Sequence, residues 1–140
     1  MEQQPDAIRI LIVDDSAPIR ERLGRMLAES PGVGEVRAAA AAEEAMALFS
    51  DFDPDAAVID IHMPGKNGVE LLRWCKERKP GLFTVILSNH PNEEYRIAAE
   101  RAGCDRFFHK ATEFERAALA VRQRFGIPEL EQGGQRNDTA

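Results

Sequence analysis

This sequence of 140 residues lacks most features that mark secreted or membrane-bound proteins. Its two cysteines, Cys75 and Cys104, show neither a paired motif nor metal-site spacing, which favours a reducing compartment. No apolar run approaches the ~20 residues that a membrane-spanning helix needs. Residues 1–6 are polar and acidic, unlike a secretory signal. We therefore expect a cytoplasmic protein without a membrane partner.

The chain also lacks an excess of positive charge. Its 18 Lys and Arg residues are outnumbered by 24 Asp and Glu residues, which gives a net charge of -6. Proteins that bind the nucleic-acid backbone usually present a basic surface, so we expect no direct binding to nucleic acid. No glycine-rich loop follows any apolar run, which disfavours a nucleotide-binding protein.

Five apolar runs alternate with five segments of helical periodicity. We predict strands at the runs and helices between them, with Thr112 and Glu115 forming a capping box at the start of the last helix. Nearly continuous apolar strands are typical of a parallel sheet that is buried on both faces. The alternation predicts one doubly wound α/β domain at residues 8–126, with a flexible lead-in at 1–7 and a polar, flexible tail at 127–140.

Polar side chains stand where four of these strands end: Asp14 and Asp15, Asp60, Ser88 and Lys110. In an open parallel sheet the carboxyl ends of the strands form one edge, where ligands bind. Three carboxylates brought together there repel one another, and Mg²⁺ relieves that repulsion while binding phosphate oxygens. A lysine adds a point charge for phosphate, and an aspartate can act as a phosphoryl acceptor. The set therefore indicates phosphoryl transfer.

Each of these residues alone is more often an ordinary surface or capping residue, and only their shared position favours a site. The three histidines, His62, His90 and His109, have no zinc-like spacing. Phe107 and Phe108 are neighbours on a strand, so only one of them can face a given side of the sheet.

The ordered set resembles the receiver domain of two-component response regulators. The resemblance rests on Asp14-Asp15 after the first strand, Asp60 after the third, Ser88 after the fourth and Lys110 after the fifth, together with Met63-Pro64-Gly65 and Gly68 in the loop after Asp60. It implies a flavodoxin-like sheet of five parallel strands in the order 2-1-3-4-5, with five helices on both faces. It also implies a signalling switch that is not an enzyme, here expected as a single-domain member.

The resemblance further implies a role for each site residue. Asp60 would accept a phosphoryl group from a sensor histidine kinase or a histidine phosphotransfer protein. Mg²⁺ would be bound by Asp15 and Asp60, by Asp14 through water, and by the backbone carbonyl of His62. Lys110 would contact the phosphoryl group.

Other residues would convert phosphorylation into a change of surface. Ser88 would move toward the phosphoryl group, and the ring of Phe107 would turn inward. The face formed by the fourth helix, fifth strand and fifth helix would then change its preference for an unidentified downstream protein or for a second copy of the chain. His62 and His90, two residues beyond Asp60 and Ser88, would tune the lifetime of the phosphoryl group.

One residue departs from the family pattern, and two other functions stay open. Ala111 stands where the family usually has a proline after a cis bond, and a non-proline cis bond costs about 3 kcal/mol, which favours a trans bond and a differently shaped loop. A degenerate receiver that serves only as a docking module is one alternative. The other is an Asp-nucleophile phosphatase of the haloacid-dehalogenase type. That class needs a second Asp two residues after the nucleophile, where this chain has Ala17 or His62.

Overall fold

The computed structural model describes residues 7–63, 65, 67–90 and 93–127. The predicted lead-in, apart from residue 7, and the predicted tail, apart from residue 127, lie outside these residues. Ten elements alternate along the chain, and their bounds agree with the predicted strands and helices to within a few residues: β1 (Ile8–Val13), α1 (Ala17–Ala28), β2 (Val33–Ala39), α2 (Ala42–Phe52), β3 (Ala56–Asp60), α3 (Gly68–Arg78), β4 (Phe83–Ser88), α4 (Glu93–Arg101), β5 (Arg106–His109) and α5 (Lys110–Phe125).

The five strands form one parallel sheet in the order β2-β1-β3-β4-β5, which confirms the predicted fold class. Each crossover between parallel strands needs a helix, because a short turn cannot return the chain to the same end of the sheet. The register pairs Val13 with Ile59 and Ser88 with His109. The polar residues that follow these strands are therefore brought to one edge.

Each face of the sheet has its own hydrophobic core because successive side chains on a strand point to opposite faces. One core packs β-strand residues such as Leu11 and Ile59 against α2, α3 and α4. The other packs Ile10 and Val58 against α1 and α5. Phe107 belongs to the first core and its neighbour Phe108 to the second, as the alternation predicts. Within the described residues, no helix combines the length and hydropathy that crossing a bilayer requires.

The start of α5 differs from the predicted capping box. The helix begins at Lys110, directly after β5, and His109 is its N-cap. The carboxylate of Glu113, rather than that of Glu115, accepts a hydrogen bond from the His109 backbone N–H at 2.9 Å. Thr112 lies inside the first turn, where its hydroxyl is 2.9 Å from His109 Nδ1. The Lys110–Ala111 bond is trans, and an alanine continues the helix without interruption.

Gly68 permits the first turn of α3 to lie against the end of β3. A Cβ at this position would clash with the backbone oxygen of Asp60 and lie 2.6 Å from Ile61 Cα. Both contacts are with backbone, which cannot move aside as a flexible side chain can. Asn67-Gly68 is a common turn dipeptide, but the reason for a glycine at this position is the close approach to β3.

We expect Gly68→Ala to lower the free energy of unfolding by about 2 kcal/mol, because the added methyl group overpacks a backbone contact. Gly24→Ala is the matched control: Gly24 lies within α1 with no atom near the added Cβ, so the change should raise the free energy of unfolding by about 0.5–1 kcal/mol. Urea unfolding of the three proteins measures both values. Equal effects at the two glycines would contradict the steric account.

Candidate functional site

Three aspartates converge at the carboxyl edge of the sheet. Asp60 is the last residue of β3 and is 2% exposed, while Asp14 follows β1 and is 1% exposed. Asp15 is exposed to solvent beside them. One carboxylate oxygen from each of the three lies within 4.8 Å of the others. The structure thus brings together the three carboxylates that the sequence proposed as one cluster.

Lys110 bridges the two buried carboxylates and offsets one of their two negative charges. Its Nζ atom donates hydrogen bonds to Asp14 Oδ1 at 2.9 Å and to Asp60 Oδ2 at 3.0 Å. The lysine side chain is itself only 10% exposed, so water screens these ion pairs little. The contact between Lys110 and a phosphoryl group stays a prediction, but the ammonium lies directly against the Asp60 carboxylate.

One buried oxygen of the cluster, Asp14 Oδ2, has no hydrogen-bond donor within the part of the chain that the structure describes. The other oxygen of Asp14, Oδ1, accepts from the Ser16 backbone N–H at 2.8 Å as well as from Lys110. Asp14 Oδ2 is buried and has no hydrogen-bond partner among the described residues. Buried carboxylate oxygens normally have partners, because leaving one unpaired is costly. An all-oxygen cluster with one unpaired buried oxygen fits a hard cation such as Mg²⁺.

Burial sets the protonation behaviour of the site. Burial raises the pKa of Asp60 to about 6, and the nearby charge of Asp14 raises it as well. The His62 backbone N–H, which donates to Asp60 Oδ1 at 3.1 Å, and Lys110 act in the opposite direction. For Lys110, burial disfavours the charge, but its hydrogen bonds to Asp14 and Asp60 outweigh burial and raise its pKa. The lysine therefore stays protonated at neutral pH.

Arg20 is a member of this site that the sequence analysis missed. Its Nη1 atom donates a hydrogen bond of 2.8 Å to the backbone carbonyl of Asp14, which fixes the loop between β1 and α1. Ser16 caps the same helix, since its hydroxyl oxygen accepts from the Ile19 backbone N–H. A basic residue one turn into the helix after Asp14-Asp15 was the available signal.

The Ser88 side chain is fully buried at the end of β4 and contacts two histidines. Its Oγ atom lies 3.2 Å from His62 Nε2, accepts from the His90 backbone N–H at 3.0 Å and donates to the His90 carbonyl oxygen at 3.0 Å. Among the described residues it makes no hydrogen bond to Asp60. The predicted movement of Ser88 stays a prediction, and the structure gives its starting position.

The two histidines flank this hydroxyl, and a tyrosine extends the group. The His62 ring stands edge to face with the His90 ring at 4.4 Å between centroids and with the Tyr95 ring at 4.7 Å. Burial, with help from His90 and Lys110, lowers the pKa of His62, so its imidazole is neutral at neutral pH. The sequence analysis did not predict this contact, because no motif along the chain links Tyr95 to His62.

Phe107 lies at the edge of the same core. Its ring is half-buried against the core that faces α2, α3 and α4, and the Arg96 guanidinium carbon lies 4.8 Å from the ring centroid. A cation held over an aromatic face gains a modest electrostatic attraction. Phe107 is therefore in contact with α4, while its inward turn on phosphorylation stays a prediction.

Known proteins are similar to this chain in sequence and in fold. A family model described as "Response regulator receiver domain" matches residues 10–122. The DNA-binding transcriptional activator DevR/DosR of Mycobacterium tuberculosis is 32% identical over 115 residues, which are 82% of this chain and 53% of that protein. The chain thus spans about half the length of this relative.

Two further comparisons cover an enzyme and a solved structure. The protein-glutamate methylesterase/protein-glutamine glutaminase of Treponema denticola is 35% identical over 117 residues, which are 81% of this chain but 31% of that protein. The receiver domain protein (CheY-like) of Methanospirillum hungatei JF-1 has a TM-score of 0.78 at 27% identity, covering 86% of this chain and 94% of that one.

Proposed function

This chain belongs to the response regulator receiver domain family of two-component signalling, and from that premise we propose that it is a phosphorylation-controlled switch whose acceptor is Asp60. The observation that carries the proposal is the buried triad of Asp14, Asp60 and Lys110, in which one ammonium bridges two carboxylates. Asp15 lies beside this triad and is exposed, so the cluster can be reached from solvent on that side.

In the proposed transfer, an oxygen of the Asp60 carboxylate forms a bond to phosphorus. The bond between phosphorus and the donor breaks as the new bond forms. Its electron pair leaves with the imidazole nitrogen when the donor is a phosphohistidine, and with acetate when the donor is acetyl phosphate. Lys110 holds one oxygen of Asp60 and the His62 backbone N–H holds the other, so the carboxylate is oriented before the donor arrives. Lys110 then stays within reach of the new negative charge.

The donor set supports a role for Mg²⁺. Asp15 and Asp60 would bind the ion, with Asp14 acting through water and His62 through its backbone carbonyl. The bound ion would neutralise the negative charge that gathers on the transferring phosphoryl group. Within the chain itself, Arg20 holds the Asp14 carbonyl, which keeps the acidic loop in place.

The proposed partners follow from membership of the receiver domain family. A sensor histidine kinase or a histidine phosphotransfer protein would donate the phosphoryl group in the cytoplasm. The face of α4, β5 and α5 would bind a downstream protein or a second copy of the chain. Phe107 would adjust that face, since it contacts Arg96 on α4. His62 and His90 would tune how long the phosphoryl group lasts.

We expect one phosphoryl group to be incorporated from acetyl phosphate, with dependence on both Mg²⁺ and Asp60. Intact mass measured with and without Mg²⁺ should show the gain in the wild type, and Asp60→Asn should abolish it because an amide is no nucleophile for phosphorus. Asp51→Asn, the same change on an exposed residue of α2, is the matched control and should keep the gain. No gain in the wild type would favour the docking-module alternative.

A further inference from the structure

We propose that the His62 side chain is a positioning residue that holds the Ser88 hydroxyl away from Asp60 in the unphosphorylated state and passes the release of Ser88 to Tyr95 on α4. This inference rests on the proposed function, because it assigns the contact through which phosphorylation would reach the surface of α4. The family resemblance led us to expect from His62 only a backbone metal contact and an effect on phosphoryl lifetime.

In the observed position the Ser88 hydroxyl is hydrogen-bonded to the His90 backbone and contacts the His62 ring. A hydroxyl has one proton to donate, and Ser88 gives it to the His90 carbonyl oxygen at 3.0 Å. Its oxygen accepts from the His90 backbone N–H and lies 3.2 Å from His62 Nε2, which donates to that oxygen when Nε2 carries the ring proton. To donate to a phosphoryl oxygen on Asp60, Ser88 must give up the bond to His90 and turn its oxygen away from His62.

His62 contacts both groups that this exchange involves. Its backbone N–H donates to Asp60 Oδ1, and its imidazole contacts Ser88 Oγ. The acceptor carboxylate thus fixes the main chain of His62, and that main chain sets where its ring lies. Losing one buried hydrogen bond changes a conformational equilibrium by roughly 3- to 10-fold. The His62 contact should therefore shift the equilibrium of Ser88 toward its resting position by roughly 3- to 10-fold.

The His62 ring also connects Ser88 with α4. Tyr95 lies in the first turn of α4 and meets the His62 ring edge to face at 4.7 Å. Both side chains line a groove of about 350 Å³ between α3 and α4, which leaves room for the two rings to move. When Ser88 leaves, the His62 ring loses its partner, and the environment of Tyr95 changes with it.

Two substitutions separate the hydrogen bond from the ring contact. His62→Gln keeps an N–H donor for Ser88 but removes the aromatic ring, whereas His62→Phe keeps a ring beside Tyr95 but removes the hydrogen bond. Both leave the backbone of His62 available to Asp60 and to a metal ion. Ser88→Ala, alone and combined with His62→Phe, completes a double-mutant cycle that measures whether the two side chains act through each other.

Tyr95 supplies the readout because it is the only tyrosine in the chain. Incorporating 3-fluorotyrosine gives one fluorine resonance, which can be followed by NMR before and after adding acetyl phosphate and Mg²⁺, with intact mass recorded on the same samples. We expect the wild-type resonance to shift on phosphorylation. In His62→Phe it should start part of the way toward the phosphorylated position, and in His62→Gln the shift should be at least halved.

The double-mutant cycle decides the assignment. We expect His62→Phe to change the phosphorylation rate by roughly 3- to 10-fold in the wild-type background and by less than 2-fold in the Ser88→Ala background. Phosphorylated variants with equal fluorine shifts and additive rate effects would overturn the inference while leaving the proposed function intact. If the wild type gains no phosphoryl group, the proposed function is overturned, and the role inferred for His62 is overturned with it.

Discussion

Lys110→Met is expected to lower the free energy of unfolding of the metal-free protein by about 3 kcal/mol at pH 8. Removing one partner of a buried ion pair leaves an uncompensated charge, and here it leaves two carboxylates, Asp14 and Asp60, facing each other. Methionine has nearly the same length as lysine, so little packing is lost. The cost should shrink as the pH falls toward 5, because Asp60 then binds a proton and no longer carries its charge.

Urea unfolding in the presence of a chelator measures this effect, and Lys79→Met provides the control. Lys79 pairs with Asp53, a residue whose side chain is 58% exposed, so its removal should cost less than about 1 kcal/mol. Adding Mg²⁺ should stabilise Lys110→Met more than the wild type, because the ion then replaces the missing positive charge. Similar costs for the two lysines would show that the buried pairs do not hold the site together.

Asp60→Asn is expected to raise the free energy of unfolding of the metal-free protein by about 3 kcal/mol above pH 7. The folded-state pKa of Asp60 is about 6, against an ordinary value of 3.8, so the folded protein binds the proton more tightly than the unfolded chain. This contribution stabilises the protein fully below pH 3.8 and is lost as the pH rises through about 6. The difference between the folded-state pKa and the ordinary pKa of Asp60 corresponds to about 3 kcal/mol of folding free energy.

The measurement is the difference in unfolding free energy between Asp60→Asn and the wild type from pH 4 to pH 8. That difference should grow across the range, since asparagine does not titrate. Asp51→Asn on the exposed face of α2 gives the reference for the same chemical change elsewhere. A difference that is constant with pH would mean that the Asp60 carboxylate is not strained by burial when the metal is absent.

The effects expected for Lys110→Met and Asp60→Asn have one cause: the site buries charged side chains where the proposed phosphoryl transfer takes place. The Asp60 carboxylate costs stability in the resting protein because burial and Asp14 oppose its charge. Lys110 offsets part of that cost, and a bound cation would offset more. If Asp60 is the phosphoryl acceptor, as proposed, its ionised form gains stability from either a bound cation or Lys110.

The sequence by itself determined the elements, the fold class and which polar residues lie at the carboxyl edge of the sheet. Buried parallel strands read as continuous apolar runs, and the residue that ends each run must lie at the sheet edge, so Asp60, Ser88 and Lys110 could be found without coordinates. The order of the strands came from the family resemblance, because local patterns do not encode which strands become neighbours. The capping box at Thr112 was wrong because β5 continues directly into α5, so the helix is capped at His109.

Only the tertiary structure decided which side chains meet across the edge. Tyr95 meets His62 because α4 lies beside the loop that follows β3, and His62 meets Ser88 because β3 and β4 are neighbours in the sheet. The contacts of His62 with Ser88 and with Tyr95 join residues that are 26 or more positions apart, where no periodicity or motif relates one to the other. Periodicity along the chain determines which face a residue occupies, and packing of the elements determines which partner it finds there.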